Sequence, residues 1–242
     1  MDGDADLAAV AAVVAEPARA KMLTALGDGR ALPASVLAAR AGVAPSTASE
    51  HLAKLVAAGF LSGERNGRRR VFRLAGPVVN EALEALARLA PPEPVRSLRE
   101  GTRAEALRRA RTCYDHLAGQ LGVGLMAALL DRGLLANGAV RDGEPDYHVT
   151  RSGLGALREL GIDLASVPGR RPAVRYCLDW SEKRHHVGGK LGKALADRCF
   201  ELGWIERYES GRAVRVTLAG ERGLVEAFGV DLAAIRRPPG GA

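Results

Sequence analysis

The sequence predicts a mainly α chain with small β-hairpins, an α+β architecture, and three observations carry that prediction. First, apolar residues recur at helical spacing: Leu52, Leu55 and Val56 within Ser46–Ala58, and Val79, Leu83, Leu86 and Leu89 within Pro77–Leu89. Second, short runs flank turn-forming pairs, above all Phe60–Arg65 and Arg69–Leu74 around Asn66-Gly67, where Asn-Gly tolerates the positive φ angles of a tight turn. Third, the C-terminal half repeats itself, with helices and short strands in the same order in each copy.

The elements follow in chain order. Leu7–Val14 is rich in Ala and Val and reads as a helix. Pro17 opens a second helix through Leu26, since proline suits a first helical turn, and Gly27-Asp28-Gly29 stops it. Pro33–Arg40 is a short helix closed at Gly42, and Ala44-Pro45-Ser46 starts the longer one. The spacing from Val36 to Leu55 is that of a helix-turn-helix. The hairpin comes next, its tip crowded by Arg65, Arg68, Arg69 and Arg70. A polar helix followed at once by an arginine-tipped hairpin predicts an N-terminal winged helix-turn-helix. After the helix Pro77–Leu89, Pro91-Pro92-Glu93-Pro94 forms a stiff linker. The expected organisation is a DNA-binding domain over residues 1–90, a linker over 91–95 and a duplicated effector or dimerisation domain over 96–242.

In that last domain Arg96–Ala118 reads as one long charged helix, broken at most near Gly101, that bridges the two domains. The repeats span about 105–165 and 172–233. CYDHLAGQLG (Cys113–Gly122) returns as CLDW and, after an insertion, HHVGGKLG within Cys177–Gly192. Gly119 precedes Gly133 by 14 residues, as Gly189 precedes Gly203. Val149-Thr150 with Gly153 matches Val216-Thr217 with Gly220, and Gly161-Ile162-Asp163-Leu164 matches Gly229-Val230-Asp231-Leu232. Each copy reads as a helix carrying the Cys and His, a second helix ending near a Gly, two short strands and a further helix, so two tandem winged-helix-like repeats are expected. Their wings are Leu135–Thr150, with Asn137-Gly138 and Asp142-Gly143, and Glu206–Thr217, around Ser210-Gly211. Gly119–Gly124 and Gly188–Gly192 read as packing positions in helical text that follow no strand.

Composition bounds the function. A net charge of +7 and a pI near 9.8 suit a polyanionic partner. Aromatics are only 4% of residues, so the cores must be built from Ala, Leu and Val. No apolar run approaches the length of a membrane span. The acidic start MDGDADLAAV lacks the basic opening of a signal peptide, and three cysteines make no disulfide framework, so a cytoplasmic location is expected. The chain contains no Gly-x-Ser-x-Gly, no phosphate loop and no His-Glu-x-x-His, so no enzyme is expected.

Residues 7 to about 90 resemble the ArsR/SmtB family of bacterial winged-helix regulators. The resemblance rests on Pro17-Ala18-Arg19, Leu23, Leu26 and Gly27; on Leu37-Ala38 and Gly42-Val43; on Ser46-Thr47-Ala48-Ser49, His51-Leu52, Leu55, Ala58-Gly59 and Leu61; and on the hairpin Gly67–Leu74. It implies a homodimer that represses transcription at an inverted-repeat operator in double-stranded DNA until a metal or small-molecule effector binds. Two departures stand out. Pro33–Gly42 has no Cys, and Pro77–Ala90 has neither His nor Asp, so neither familiar metal site of that family is present. Any sensor is expected in the duplicated half.

The candidate DNA-binding residues are Ser46, Thr47, Ser49, Glu50, His51 and Lys54 on the recognition helix and Arg65, Arg68, Arg69 and Arg70 on the wing. The serines and threonine can meet base edges, His51 backbone or sugar, and the arginines phosphates or the minor groove. The candidate effector or metal residues are Cys113, His116, Cys177 and His186. Cys113 and His116, three apart in helical text, would share a face. Two Cys and two His fit a tetrahedral soft divalent ion such as zinc; the same residues also fit the packing core of the repeat with no metal, or a redox-sensing thiol pair. Cys199 reads as core, and the aromatics Trp180, Phe200, Trp204 and Phe228 either fill that core or line a ligand pocket. The expected function is a sequence-specific transcriptional regulator, an effector-responsive repressor. The alternatives are an architectural or activating DNA-binding protein without a switch, and a winged-helix protein-interaction module.

Overall fold

The computed structural model describes residues 3–67, 69–138, 145–209 and 211–235. They fall into two compact units, Met1–Leu83 and Glu84–Ala242. The fold is mainly helical with small antiparallel hairpins, and no helix among the described residues is long and apolar enough to cross a membrane.

In the first unit, α1 (Leu7–Val14) is capped by Asp6. Helix α2 (Pro17–Ala25) begins with Pro17 after Glu16, whose carboxylate accepts from the N–H groups of Ala18 and Arg19. These contacts hold the Glu16 carboxyl below its ordinary pKa. A short strand β1 (Leu32–Pro33) leads into α3 (Ala34–Ala41). Gly42 closes α3 at φ 73°, with its N–H on the carbonyls of Ala38 and Ala39; only glycine enters this left-handed region without strain. Next come α4 (Pro45–Ala57) and the hairpin of β2 (Leu61–Asn66) and β3 (Arg69–Leu74). The sheet order is β1-β3-β2. Met22, Leu23, Leu26, Leu37, Leu52, Leu55, Leu61, Phe72 and Leu74 are buried, so α2, α3, α4, β2 and β3 each turn apolar side chains inward. Helix α5 (Pro77–Leu89) follows.

The second unit continues with α6 (Leu98–Arg109), the hairpin β4 (Arg111–Cys113) and β5 (His116–Ala118), and α7 (Gly119–Asp131). A second hairpin, β6 (Leu135–Asn137) with β7 (Tyr147–Val149), precedes α8 (Arg151–Glu159) and a 3-10 turn at Leu164–Ser166. The order then recurs: β8 (Arg175–Leu178) with β9 (His185–Gly188), α9 (Gly189–Glu201), β10 (Ile205–Arg207) with β11 (Val214–Val216), and α10 (Leu218–Phe228).

The repeat holds down to single hydrogen bonds. Thr150 and Thr217 each accept from a helix N–H, those of Gly153 and Gly220 at 3.0 Å, and donate back to the carbonyls of Gly133 at 2.6 Å and Gly203 at 2.7 Å. A side chain at either glycine would collide with backbone, since a Cβ on Gly153 would lie 2.1 Å from the Leu134 carbonyl and one on Gly220 2.0 Å from that of Trp204. Leu117, Leu121, Leu125 and Leu129 of the first copy meet Val187, Leu191, Leu195 and Cys199 of the second in a single core. Phe228 belongs to that core, and Phe200 and Trp204 pack against it.

Four expectations need correction. The long helix over Arg96–Ala118 does not form. Helix α6 passes through Gly101 without a break and ends at Arg109, and Ala110 turns extended at φ −155°. The chain then pairs as a strand because long-range partners override local propensity: Thr112 donates to the Arg212 carbonyl at 2.9 Å, and Val214 donates to that of Ala110 at 3.0 Å. Cys113 and His116 are therefore not neighbours on a helix face but cross-strand partners in a hairpin. Gly119 and Gly189 do follow strands, opening α7 and α9, and Gly188 is the last residue of β9. The N-terminal wing turns one residue later than expected, since Asn66 pairs with Arg69 and Gly67 takes the corner at φ 60°. Arg68, Asp142-Gly143 and Ser210 lie outside the described residues.

Leu191 is buried within the joint core and Leu98 is 94% exposed. Leu191→Ala is expected to cost about 2–5 kcal/mol in urea denaturation, and Leu98→Ala to change stability by no more than about 0.5 kcal/mol.

Candidate nucleic-acid interface and a buried cysteine–histidine cluster

Helix α4 has two faces. Pro45 at its first turn sets the start, and Ala48, Leu52 and Leu55 turn inward. Ser46, Ser49, Glu50 and Lys54 are exposed beside Pro45, Ala53 and Ala57, and Thr47 is half-buried, so no large apolar side chain is fully exposed on this helix. Ala44, at the N-cap, offers no side-chain acceptor, which leaves the first N–H groups of α4 without an intrahelical or capping partner. The Ser49 hydroxyl donates to the Pro45 carbonyl at 3.0 Å. His51 is placed differently. Its side chain is only 14% exposed, and its Nδ1 faces the Glu16 carboxylate at 3.6 Å, making it a contact between α4 and the start of α2.

On the wing Arg65, Arg69 and Arg70 are exposed. Arg65 and Arg70 stand directly opposite each other across the hairpin. Like charges facing across strands are unfavourable unless an anion lies between or beside them. Arg70 also stacks 5.1 Å over the Phe72 ring, and Arg73 forms an ion pair with Glu64.

The second cluster lies wholly in the Glu84–Ala242 unit. Cys113 pairs with His116 across the first hairpin and Cys177 with His186 across the equivalent one. Each hairpin packs on the other copy's helix, β5 against α9 and β9 against α7. Gly192 and Gly122 allow this approach: a Cβ on Gly192 would lie 3.0 Å from the His116 Cβ, and one on Gly122 3.4 Å from that of His186. The packing brings the ligating atoms of all four residues within 4.8 Å of one another, with the two imidazole centroids 5.1 Å apart. Cys113, His116 and His186 are buried and Cys177 half-buried.

An acidic residue backs each imidazole. Asp115 Oδ1 lies 3.4 Å from His116 Nδ1, and Asp179 Oδ2 lies 3.4 Å from His186 Nδ1. Each acid is held by an arginine, Asp115 by Arg171 and Asp179 by Arg111 at 2.8 Å. Asp179 also accepts from the Gly119 N–H at 2.7 Å, capping α7, and from Ser181. The Arg111 guanidinium in turn sits 4.6 Å over the Trp180 ring. Burial works against ionising Asp179, but the Arg111 charge and the Gly119 N–H outweigh it and hold the carboxyl well below the usual range. The hydrogen bond to Cys177, with burial, pushes the Cys113 thiol well up. Burial opposes charging His116, yet Cys113 and Asp115 outweigh it and raise its pKa to about 9. Burial and the neighbouring His116 push His186 well down. Cys199, buried in the core away from these charges, is pushed up to about 12 by burial.

The four Cys and His residues singled out in the sequence thus meet at one point. Arg111 and Arg171 were not singled out, and no local signal marks them in a chain with 35 Lys and Arg. The repeated Cys-x-Asp spacing, at 113/115 and 177/179, is the only hint of the acids behind the rings.

Comparison with known proteins agrees with the first unit. A model described as a helix-turn-helix domain matches residues 14–64. The chain is 40% identical over 217 residues to YdfF of Bacillus subtilis, an uncharacterized HTH-type transcriptional regulator, covering 89% of this chain and 94% of that one. Among solved structures, reduced HlyU from Vibrio cholerae is 24% identical over 36% of this chain and 90% of its own, with a TM-score of 0.33. The homodimeric winged helix-turn-helix domain Mb0332 from Mycobacterium bovis, a possible ArsR-family regulator, is 28% identical over 37% and 88%, with a TM-score of 0.31. With the helix-turn-helix of its first unit and a relative of this kind matched over nearly its whole length, the chain belongs to the HTH-type transcriptional regulators.

Proposed function

We propose that this regulator is an effector-responsive repressor that binds an inverted-repeat operator as a homodimer. In this reading residues 1–90 bind DNA and residues 96–242 form the effector and dimerisation module. The observation that carries the DNA contact is the division of α4: Ala48, Leu52 and Leu55 pack inward while Ser46, Thr47, Ser49, Glu50 and Lys54 stay available outside. An α-helix presenting such groups fits a major groove, where hydroxyl and amine groups read base edges. The uncapped first turn of α4 supplies N–H groups for a phosphate. Arg65, Arg69 and Arg70, with Arg68, supply phosphate or minor-groove contacts. The opposed Arg65–Arg70 pair favours this assignment, because a polyanion relieves its repulsion. His51 would act indirectly, by fixing α4 against the start of α2 through Glu16.

Support for a homodimer comes from apolar side chains left in solvent on two helices. Val78, Leu86 and Leu89 on α5 are 72%, 47% and 84% exposed, and Leu7 and Val10 on α1 are 74% and 49% exposed. The three on α5 fall on one face of that helix and the two on α1 on one face of theirs, and apolar side chains grouped in this way suit a protein interface. A dimer would place its recognition helices about 34 Å apart, matching half-sites one helical turn apart.

Fluorescence anisotropy on duplexes from the gene's own upstream region, at several salt concentrations, tests this reading. Replacing Arg65, Arg69 and Arg70 by Ala is expected to weaken binding to all sequences alike and to flatten the plot of log affinity against log salt by about 0.9 for each phosphate that is no longer neutralised. Ser46→Ala or Thr47→Ala is expected to reduce discrimination between operator and mismatched duplex by about 1–3 kcal/mol while keeping the salt slope. A purified protein that ignores operator-length duplex even at low ionic strength overturns the reading.

A further inference from the structure

We propose that Cys113, His116, Cys177 and His186 bind one zinc-class divalent cation in a closed tetrahedral site that staples the two repeats together. The inference is independent of the DNA-binding reading, and its measurements contain no DNA.

The donor set comes first. Two thiols and two imidazoles with ligating atoms mutually within 4.8 Å match a four-coordinate zinc-type centre in number, chemistry and compactness. Softer thiolate with imidazole also disfavours magnesium or calcium, which take oxygen ligands.

The imidazoles themselves point the same way. His116 is 6% exposed and His186 fully buried, yet Nε2 of neither ring has a hydrogen-bond partner. A buried polar atom left unsatisfied costs about 1–3 kcal/mol. A metal ion satisfies Nε2 of each ring at once. On the far side of each ring an acid faces Nδ1 at 3.4 Å, Asp115 for His116 and Asp179 for His186. Once each ring is neutral in the metal-bound state, an acid placed there favours the proton on Nδ1 and the Nε2 lone pair inward, which is how carboxylates orient metal-binding histidines. The same device occurs in both copies, each with its own arginine behind the acid.

Charge selects the valence. The Asp115–Arg171 and Asp179–Arg111 pairs are each neutral. When the ion binds, the two thiols and the charged His116 ring each give up a proton to solvent, and the two thiolate charges that result are cancelled by a divalent cation. A monovalent ion would leave a net charge in a buried site, which is costly. Since each hairpin contributes only one Cys and one His, neither copy holds a complete site. The ion therefore links β4–β5 to β8–β9.

The test uses the full-length chain. Metal analysis after dialysis under reducing conditions is expected to find about one zinc per chain. Cobalt(II) exchanged into the site is expected to show thiolate-to-cobalt charge transfer and the visible bands of tetrahedral cobalt. The double variant Cys113→Ser/Cys177→Ser should lose both the metal and the charge-transfer band. Asp115 is a positioning residue, and Asp115→Asn should keep the cobalt spectrum while weakening zinc affinity about 10–100-fold in chelator competition. Folded, reduced wild-type protein that holds only trace zinc and gives no thiolate–cobalt band overturns the proposal, whether or not the double variant folds. So does full zinc retention in the double variant, or a Cys113–Cys177 disulfide in freshly purified protein.

Discussion

The ion pair between Arg111 and Asp179 organises the Glu84–Ala242 unit. Both side chains are fully buried, and their groups meet at 2.8 Å. Taking two charges out of water is costly, so such a pair persists only when further contacts satisfy the remaining donors and acceptors. Here such contacts reach several elements, although Arg111 Nε has no hydrogen-bond partner. Asp179 caps α7 through the Gly119 N–H, holds the turn after β8 through Ser181 and faces the Nδ1 of His186. Arg111 reaches Ser181 and the Leu107 carbonyl and lies over Trp180. One pair thus ties the first copy's hairpin and helix to the second copy's hairpin.

The two copies are alike in plan and unequal in environment. Both place a Cys opposite a His across a hairpin, and both set an acid behind the ring. The first copy's acid, Asp115, is partly exposed and leans on Arg171, which is itself about a third exposed; the second copy's acid is sealed with Arg111. The imidazoles accordingly diverge, His116 pushed up and His186 pushed down. A duplicated motif has kept its packing and hydrogen-bond logic while the charges around each copy have drifted apart.

In the first unit the constraint is simpler. Buried side chains come from α2, α3, α4, β2 and β3, so α4 is held by its inner face while its outer face is left to other work. His51 illustrates how little sequence position says about orientation: it lies among exposed polar residues but turns toward Glu16. The face of the helix was readable from periodicity, whereas this side chain's direction was not.

The helices and wing of the first unit were legible because each is specified locally, by Pro17 and Pro45 at helix starts, by Gly42 at a helix end, and by Gly67 at the corner of the wing, one residue past where the Asn-Gly pair placed it. The duplication was legible because paired glycines and threonines mark backbone positions that admit no substitute, as Gly153 and Gly220 show by their contact with carbonyl oxygens. What misled was the segment Ala110–Ala118, where local text is compatible with helix. Its strand state comes from partners about a hundred residues away at Arg212 and Val214, and no local propensity encodes such pairing. By itself, then, the sequence determined the element types set by short-range sterics and the identity of the four Cys and His residues. Only tertiary structure decided that these four converge, that acids and arginines stand behind them, and that the hairpins cross onto each other's helices, because each of those outcomes depends on packing between distant segments.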